Sequence, residues 1–140
     1  MTDAPPPPDS SDVWLFYVVD RLHRAMRRGL DDLLADEGLS VPELTALLVL
    51  GEGTPLPNIR LSQRTFVSPQ AGHKVATALA ERGLIAWAED PVDRRLRVAR
   101  LTPEGREVLD RCTAAIAVFE DRVLAALDAD ARARLRADLA

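Results

Sequence analysis

Two groups of polar side chains carry the chemistry that this sequence offers. Gln70, His73, Lys74 and Thr77 recur at steps of three and four, so on a helix they share one face. Further on, Asp93, Arg94, Arg95 and Arg97 crowd a segment rich in turn-forming residues. Glutamine presents a paired donor and acceptor that match the major-groove edge of adenine, lysine donates to guanine or to phosphate, and histidine does either more weakly. Lys74 is the only lysine in the chain, and it falls in this stripe. Arginine is a planar, weakly hydrated cation suited to phosphate and to the negative potential of a narrow minor groove. Taken by themselves, the stripe also fits a solvated helix face, and Asp93 with Arg95 also fits a surface ion pair worth under about 1 kcal/mol.

The charge distribution bears on the choice. The 140 residues sum to −4. Residues 57–101, however, hold eight Arg/Lys (Arg60, Arg64, Lys74, Arg82, Arg94, Arg95, Arg97, Arg100) against four acids (Glu81, Glu89, Asp90, Asp93), a local +4 that leaves −8 for the remainder. A basic patch on an acidic body gives a polyanion one place to dock. Enzyme chemistry finds little support: His23 and His73 lie far apart with no nucleophile partner, so no catalytic residue is assigned, and no metal-ligand cluster or cofactor motif is present. One cysteine, Cys112, excludes an internal disulfide. No apolar run reaches ~18 residues and no signal-peptide pattern opens the chain, which predicts a cytoplasmic protein with no membrane partner.

The elements that must position these groups follow from caps and breakers. Ser68-Pro69 opens a helix and Gly83 ends it, with Ala71, Val75, Ala78 and Leu79 as its packing face. Two apolar runs, residues 84–88 and 96–101, flank a Pro- and Asp-containing turn and predict a hairpin. A short helix over residues 58–64, joined to the first by Thr65-Phe66-Val67, completes a helix-turn-helix, and the hairpin makes it winged. Upstream, Ser40 and Glu43 form a capping box before a very apolar helix over residues 44–50, expected to be the most buried, and residues 51–57 read as a connector.

Long amphipathic helices flank this module. Leu15, Val19, Leu22, Met26, Leu30 and Leu33 mark a first helix from Asp12 to Gly38, with Trp14, Phe16, Tyr17 and Val18 widening its apolar start. That start exceeds what one small core can cover and predicts a second subunit. Thr102-Pro103 opens another long helix whose apolar face runs from Val108 to Leu127, and Asp128 caps a last one. The expected fold is mainly α with a small β-hairpin wing. Its parts are a disordered Pro-rich tail (1–11), an N-terminal dimerisation helix (12–39), a winged helix-turn-helix lobe (40–102) and C-terminal dimerisation helices (103–140).

The run over residues 79–109 resembles the MarR family of bacterial transcriptional regulators. The resemblance is carried by Arg82-Gly83-Leu84-Ile85 closing the recognition helix, by Asp93 and Arg95 in the wing, and by Leu101-Thr102-Pro103-Glu104-Gly105 opening the next helix. It implies a homodimer with intertwined terminal helices that sets two recognition helices into successive major grooves of a palindromic double-stranded DNA operator, most simply as a repressor. It puts Ser68, Gln70, Ala71, His73 and Lys74 at groove-facing positions, has Asp93 orient Arg95 in the minor groove, and leaves Arg94 and Arg97 to phosphates. It also implies a small aromatic effector, for which Trp14, Tyr17 and His23 are candidate liners. Phe66 stands where the family often has glycine, and Gly72 where a β-branched residue is usual, either for close approach to DNA or merely tolerated. Redox-sensing members carry a cysteine near the first helix; Cys112 lies elsewhere, on an apolar face. A winged helix used only for protein association is the alternative, one that would not require wing arginines or a polar recognition face.

Overall fold

The computed structural model describes residues 14–139, so the Pro-rich tail and the expected helix start at Asp12 lie outside the described residues. The centre of the molecule is α2 (Val41–Gly51), which buries Leu44, Ala46, Leu47, Val49 and Leu50. Its start is the expected capping box: the Glu43 carboxylate accepts from the Ser40 backbone N–H at 2.7 Å, and the Ser40 hydroxyl accepts from Glu43 N–H at 3.4 Å. A helix apolar on nearly every side is stable only when surrounded. Here α1 (Leu15–Ala35), α3 (Asn58–Arg64), α4 (Pro69–Glu81) and α5 (Pro103–Val123) surround it through Leu34, Leu61, Leu79, Leu109 and Cys112.

α1 stops at Ala35, three residues short of Gly38, and residues 36–38 form the turn instead. The sheet is larger than a hairpin. β2 (Ile85–Glu89) and β3 (Arg97–Leu101) pair antiparallel as expected, with Trp87 opposite Ala99, and β1 (Leu56–Pro57) adds a third strand on the other side of β3, giving the order β1-β3-β2. Residues 51–57 are therefore not wholly a connector. Pro57 is tolerated because an edge strand does not need every N–H.

α4 is bounded as its sequence requires. The Ser68 hydroxyl accepts from Ala71 N–H at 3.2 Å. At the other end Gly83 takes φ +71°, which lets the Leu84 amide donate back to the Leu79 carbonyl at 3.0 Å. The buried face is Gly72, Ala76 and Leu79, whereas Ala71 and Ala78, expected in the packing face, are only half-buried. α5 opens on the Thr102 hydroxyl, which accepts from Gly105 N–H at 3.0 Å, and ends at Val123. Leu127 thus lies in the turn before α6 (Ala129–Leu139), itself capped by Asp128, and α6 buries none of its residues.

Gly72 faces α3. A Cβ there would overlap the Ser62 hydroxyl and come within 2.8 Å of Ser62 Cβ and 3.3 Å of its Cα. Its role is helix-to-helix contact, which is neither of the two readings the sequence offered: Gly72 is buried against α3. Gly72→Ala should improve helix propensity by about 1 kcal/mol yet force α3 and α4 apart at a cost of about 1–3 kcal/mol, a net destabilisation. A urea titration checks this; an unchanged or raised midpoint would show that the two helices separate freely.

Candidate nucleic-acid interface

The outer face of α4 carries Gln70, His73 and Lys74, all exposed, while Thr77 and Ala71 sit half-buried at its margins. Ser68 is exposed too, although its hydroxyl is occupied in capping. Asn58, at the start of α3, donates from Nδ2 to the Pro69 carbonyl at 3.2 Å and ties the first turn of α4 to its neighbour. The face is thus presented by a helix fixed at its first turn and along its buried side.

The wing tip is organised by two aspartates acting on backbone. Asp90 Oδ1 accepts from Val92 N–H at 2.7 Å and from Asp93 N–H at 3.0 Å, and these bonds, that from Asp93 foremost, hold the Asp90 carboxyl below the usual aspartate range. Asp93 Oδ1 accepts from the Arg95 backbone N–H at 3.0 Å. Asp93 and Arg95 form no ion pair in this structure, so the aspartate sets the main chain that carries the arginine and leaves its guanidinium unengaged. Arg94 and Arg95 both project from the tip and are exposed.

The helix and the wing meet. His73 of α4, Trp87 of β2, Arg97 of β3 and Asn58 line one cleft of about 290 Å³, in which Asn58 Oδ1 is buried without a hydrogen-bond partner. Of the ten assigned positions, His73 of the helix and Arg97 of the wing line this cleft.

The basic patch is smaller than composition implied. Arg64 pairs with Glu52 at 2.7 Å, and Arg82, though exposed, donates to the Glu37 and Gly38 carbonyls at 2.7 and 2.8 Å. Arg60, Lys74, Arg94, Arg95, Arg97 and Arg100 are in no ion pair among the described residues. The Arg82 contact has no complete signature in the sequence. A cation beside a helix-ending glycine is a recognised partner for free terminal carbonyls, but which helix supplies them depends on the tertiary fold.

The three proposed effector liners are not brought together. Trp14 stacks at a tilt near Phe16 (centroids 5.7 Å apart) and Tyr17 lies under the Arg21 guanidinium at 5.8 Å, both exposed at the far end of α1. Only His23 lines a recess, of about 190 Å³, with Met26, Arg27, Leu30 and Val41 where α1 meets α2. A larger groove of about 590 Å³ runs between α1 and α5, lined by Leu33, Phe119 and Arg122 among others. The sequence does not announce it, because the pairing of Gly29 with the Phe119 ring that shapes it is not local. Cys112 is buried in the core, and burial pushes its thiol up, which keeps it protonated and unreactive. Among the described residues no cluster of three or more His, Cys, Asp or Glu is placed to hold a metal, and no helix is long and apolar enough to cross a membrane.

No family model matches the chain. It is 30% identical over 120 residues, 86% of each sequence, to the HTH-type transcriptional repressor Rv2887 of Mycobacterium tuberculosis. Among solved structures it resembles the MarR family protein Rv2887 in complex with DNA (29% identity, TM-score 0.77, covering 91% of this chain and 96% of that one). The same protein has been solved with p-aminosalicylic acid (28%, TM-score 0.74, 91% and 96%). A third similar structure is the transcriptional repressor CouR bound to a 23-mer DNA duplex (25%, TM-score 0.81, 90% and 89%).

The Asp90 bonds have a definite pH sign. A carboxyl held below its unfolded value stabilises the turn above the ordinary aspartate range and loses that contribution as pH falls through its lowered folded value. The Val92 and Asp93 amide resonances should therefore titrate together with a midpoint below that of an ordinary aspartate, and Asp90→Asn should abolish the transition. A midpoint at or above the ordinary range would contradict the turn geometry.

Proposed function

This chain belongs to the MarR family of transcriptional regulators, and from that premise we propose how its own residues do the work. It is a sequence-specific DNA-binding repressor of the MarR type. The observation that carries the residue assignment is the continuity of the exposed α4 face with the wing through the His73–Arg97 cleft. Gln70, His73 and Lys74 enter the major groove, with Ser68, Ala71 and Thr77 at the edge of the contact. Arg95, on main chain fixed by Asp93, enters the minor groove; Arg94 and Arg97 contact phosphates.

The protein works as a homodimer in the cytoplasm. The exposed apolar start of α1 (Trp14, Leu15, Phe16, Tyr17, Val18, Val19) and an α6 with no buried residue are surfaces that a second subunit covers. Two recognition helices then meet two half-sites of a palindrome. The terminal helices serve dimerisation and residues 40–102 form the DNA-binding lobe. A small aromatic acid binds where α1 packs against α2 and α5, its carboxylate matched by Arg27 in the one recess or Arg122 in the other, and its ring by Leu30 or Phe119. By altering the spacing of the two lobes it releases DNA. The relatives are regulators and not enzymes, and His23 and His73 stand on separate elements with no shared site.

Operator DNA selected from a random pool tests the assignment by fluorescence anisotropy. Arg95→Ala should weaken binding at least about tenfold, roughly 1.4 kcal/mol, with the folding midpoint unchanged because the side chain is exposed. Unchanged affinity would remove Arg95 from the interface. Affinity should also fall steeply with salt, and Arg97→Ala should reduce the slope of log K against log salt by about 0.9 for each phosphate that its guanidinium neutralises. A slope unaltered by that substitution would show that Arg97 touches no phosphate.

A further inference from the structure

Phe66 is the only non-glycine residue with positive φ among the described residues (φ 56°), and it is 94% exposed. The left-handed region is unfavourable for a bulky side chain, because Cβ crowds the following carbonyl, and glycine would adopt it freely. Exposure of the ring to water is a second cost, and at 94% exposure little contact among the described residues offsets either. The surrounding turn is nevertheless well made. The buried Thr65 hydroxyl bonds to the Leu61 and Ser62 carbonyls at 3.0 and 3.2 Å, and the Val67 amide donates to the Ser62 carbonyl at 3.2 Å. The strain is confined to Phe66 and is imposed by a rigid frame. Strain of this kind gathers where a side chain is held for an external partner.

The position says which partner. Phe66 stands two residues before Ser68, the cap of α4, at the end of the helix that leads into the groove. Exposed near it in sequence are Arg60, Gln63, Ser68 and Gln70, together with Arg64 in its pair with Glu52 and one apolar residue, Ile59; the set is mainly polar or cationic and suits a nucleic-acid backbone more than an apolar protein face. We infer that Phe66 is a DNA contact: the turn holds its ring against the apolar edge of the major groove entered by α4, on a thymine methyl or a deoxyribose. Both offer C–H surface, and phenylalanine packs on either. The inference rests on the DNA-binding function proposed above and adds to it a contact made before the recognition helix begins.

The test uses the full chain and pool-selected operator DNA. Phe66→Gly and Phe66→Asn, both at ease with positive φ, should fold with an equal or higher urea midpoint yet bind operator about fivefold or more weakly, while Phe66→Tyr retains affinity. Replacing operator thymines one at a time by deoxyuridine separates the two surfaces. A position at which wild-type affinity drops and the glycine variant is indifferent identifies a methyl contact, and the absence of such a position with the glycine variant still weakened identifies the sugar. Wild-type affinity in the glycine and asparagine variants overturns the inference alone. Failure of the wild-type protein to select any DNA overturns the DNA-binding function itself and this contact with it.

Discussion

Everything that faces outward depends on how closely α3 and α4 approach. The contact is made where Gly72 lies on Ser62, at a separation that leaves no room for a methyl group. Ser62 donates to the Asn58 carbonyl at 2.8 Å, and Asn58 donates to the Pro69 carbonyl, so the same few residues fix both the spacing of the helices and the first turn of α4. Ala76 and Leu79 continue the buried seam, both wholly shielded from solvent. With that seam set, the orientation of Gln70, His73 and Lys74 is no longer a free variable. A groove-reading helix requires this, because a bidentate base contact tolerates little angular error. The glycine gives up some helix propensity, and what it secures is a fixed orientation.

A second set of bonds ties this lobe to the long helices. Arg82, the residue that caps the end of the recognition helix, donates to two carbonyls just past the end of α1. Glu37, which supplies one of them, also binds the Arg111 guanidinium of α5 through two bonds of 2.8 and 3.0 Å. The Arg111 hydrogen bond holds the Glu37 carboxyl low, so the pair is charged under ordinary conditions. The ends of α1 and α4 and the middle of α5 are therefore joined at one corner. A ligand bound between α1 and α5, as proposed above, would sit on two of the three helices that meet there.

Much of the scaffold is legible because local chemistry dictates it. Ser40 with Glu43, Ser68 with Pro69, Thr102 with Pro103 and Gly83 each mark an element end by a bond that their own side chain or backbone makes. What escapes a reading of the sequence is non-local. β1 is two residues beside a proline and becomes a strand only because β3 passes alongside. The buried face of α4 keeps the expected Leu79, with Val75 packed against the core, but takes Gly72 and Ala76 in place of Ala71 and Ala78, since alanines and a glycine carry almost no periodic signal. Asp93 and Arg95 do interact, but through other atoms than their charges suggest: two residues apart in a tight turn, the carboxylate reaches the near amide before the distant guanidinium. Arg82 counts as patch charge in the sequence although its guanidinium is taken up by the Glu37 and Gly38 carbonyls.

The number of cations left unengaged also bears on specificity. With Arg64 paired to Glu52 and Arg82 bonded to the carbonyls after α1, the cations in no ion pair among the described residues are Arg60 on α3, Lys74 on α4 and Arg94, Arg95, Arg97 and Arg100 on the wing, on a chain whose net charge is −4. Non-specific affinity rises with the number of phosphates neutralised, and a net-negative body with few free cations keeps that term small. Tight binding then rests on contacts that depend on sequence or shape. The aromatic start of α1, exposed in a single chain, is the surface proposed above for a second subunit, and pairing there would place a second copy of the α4 face at a fixed distance.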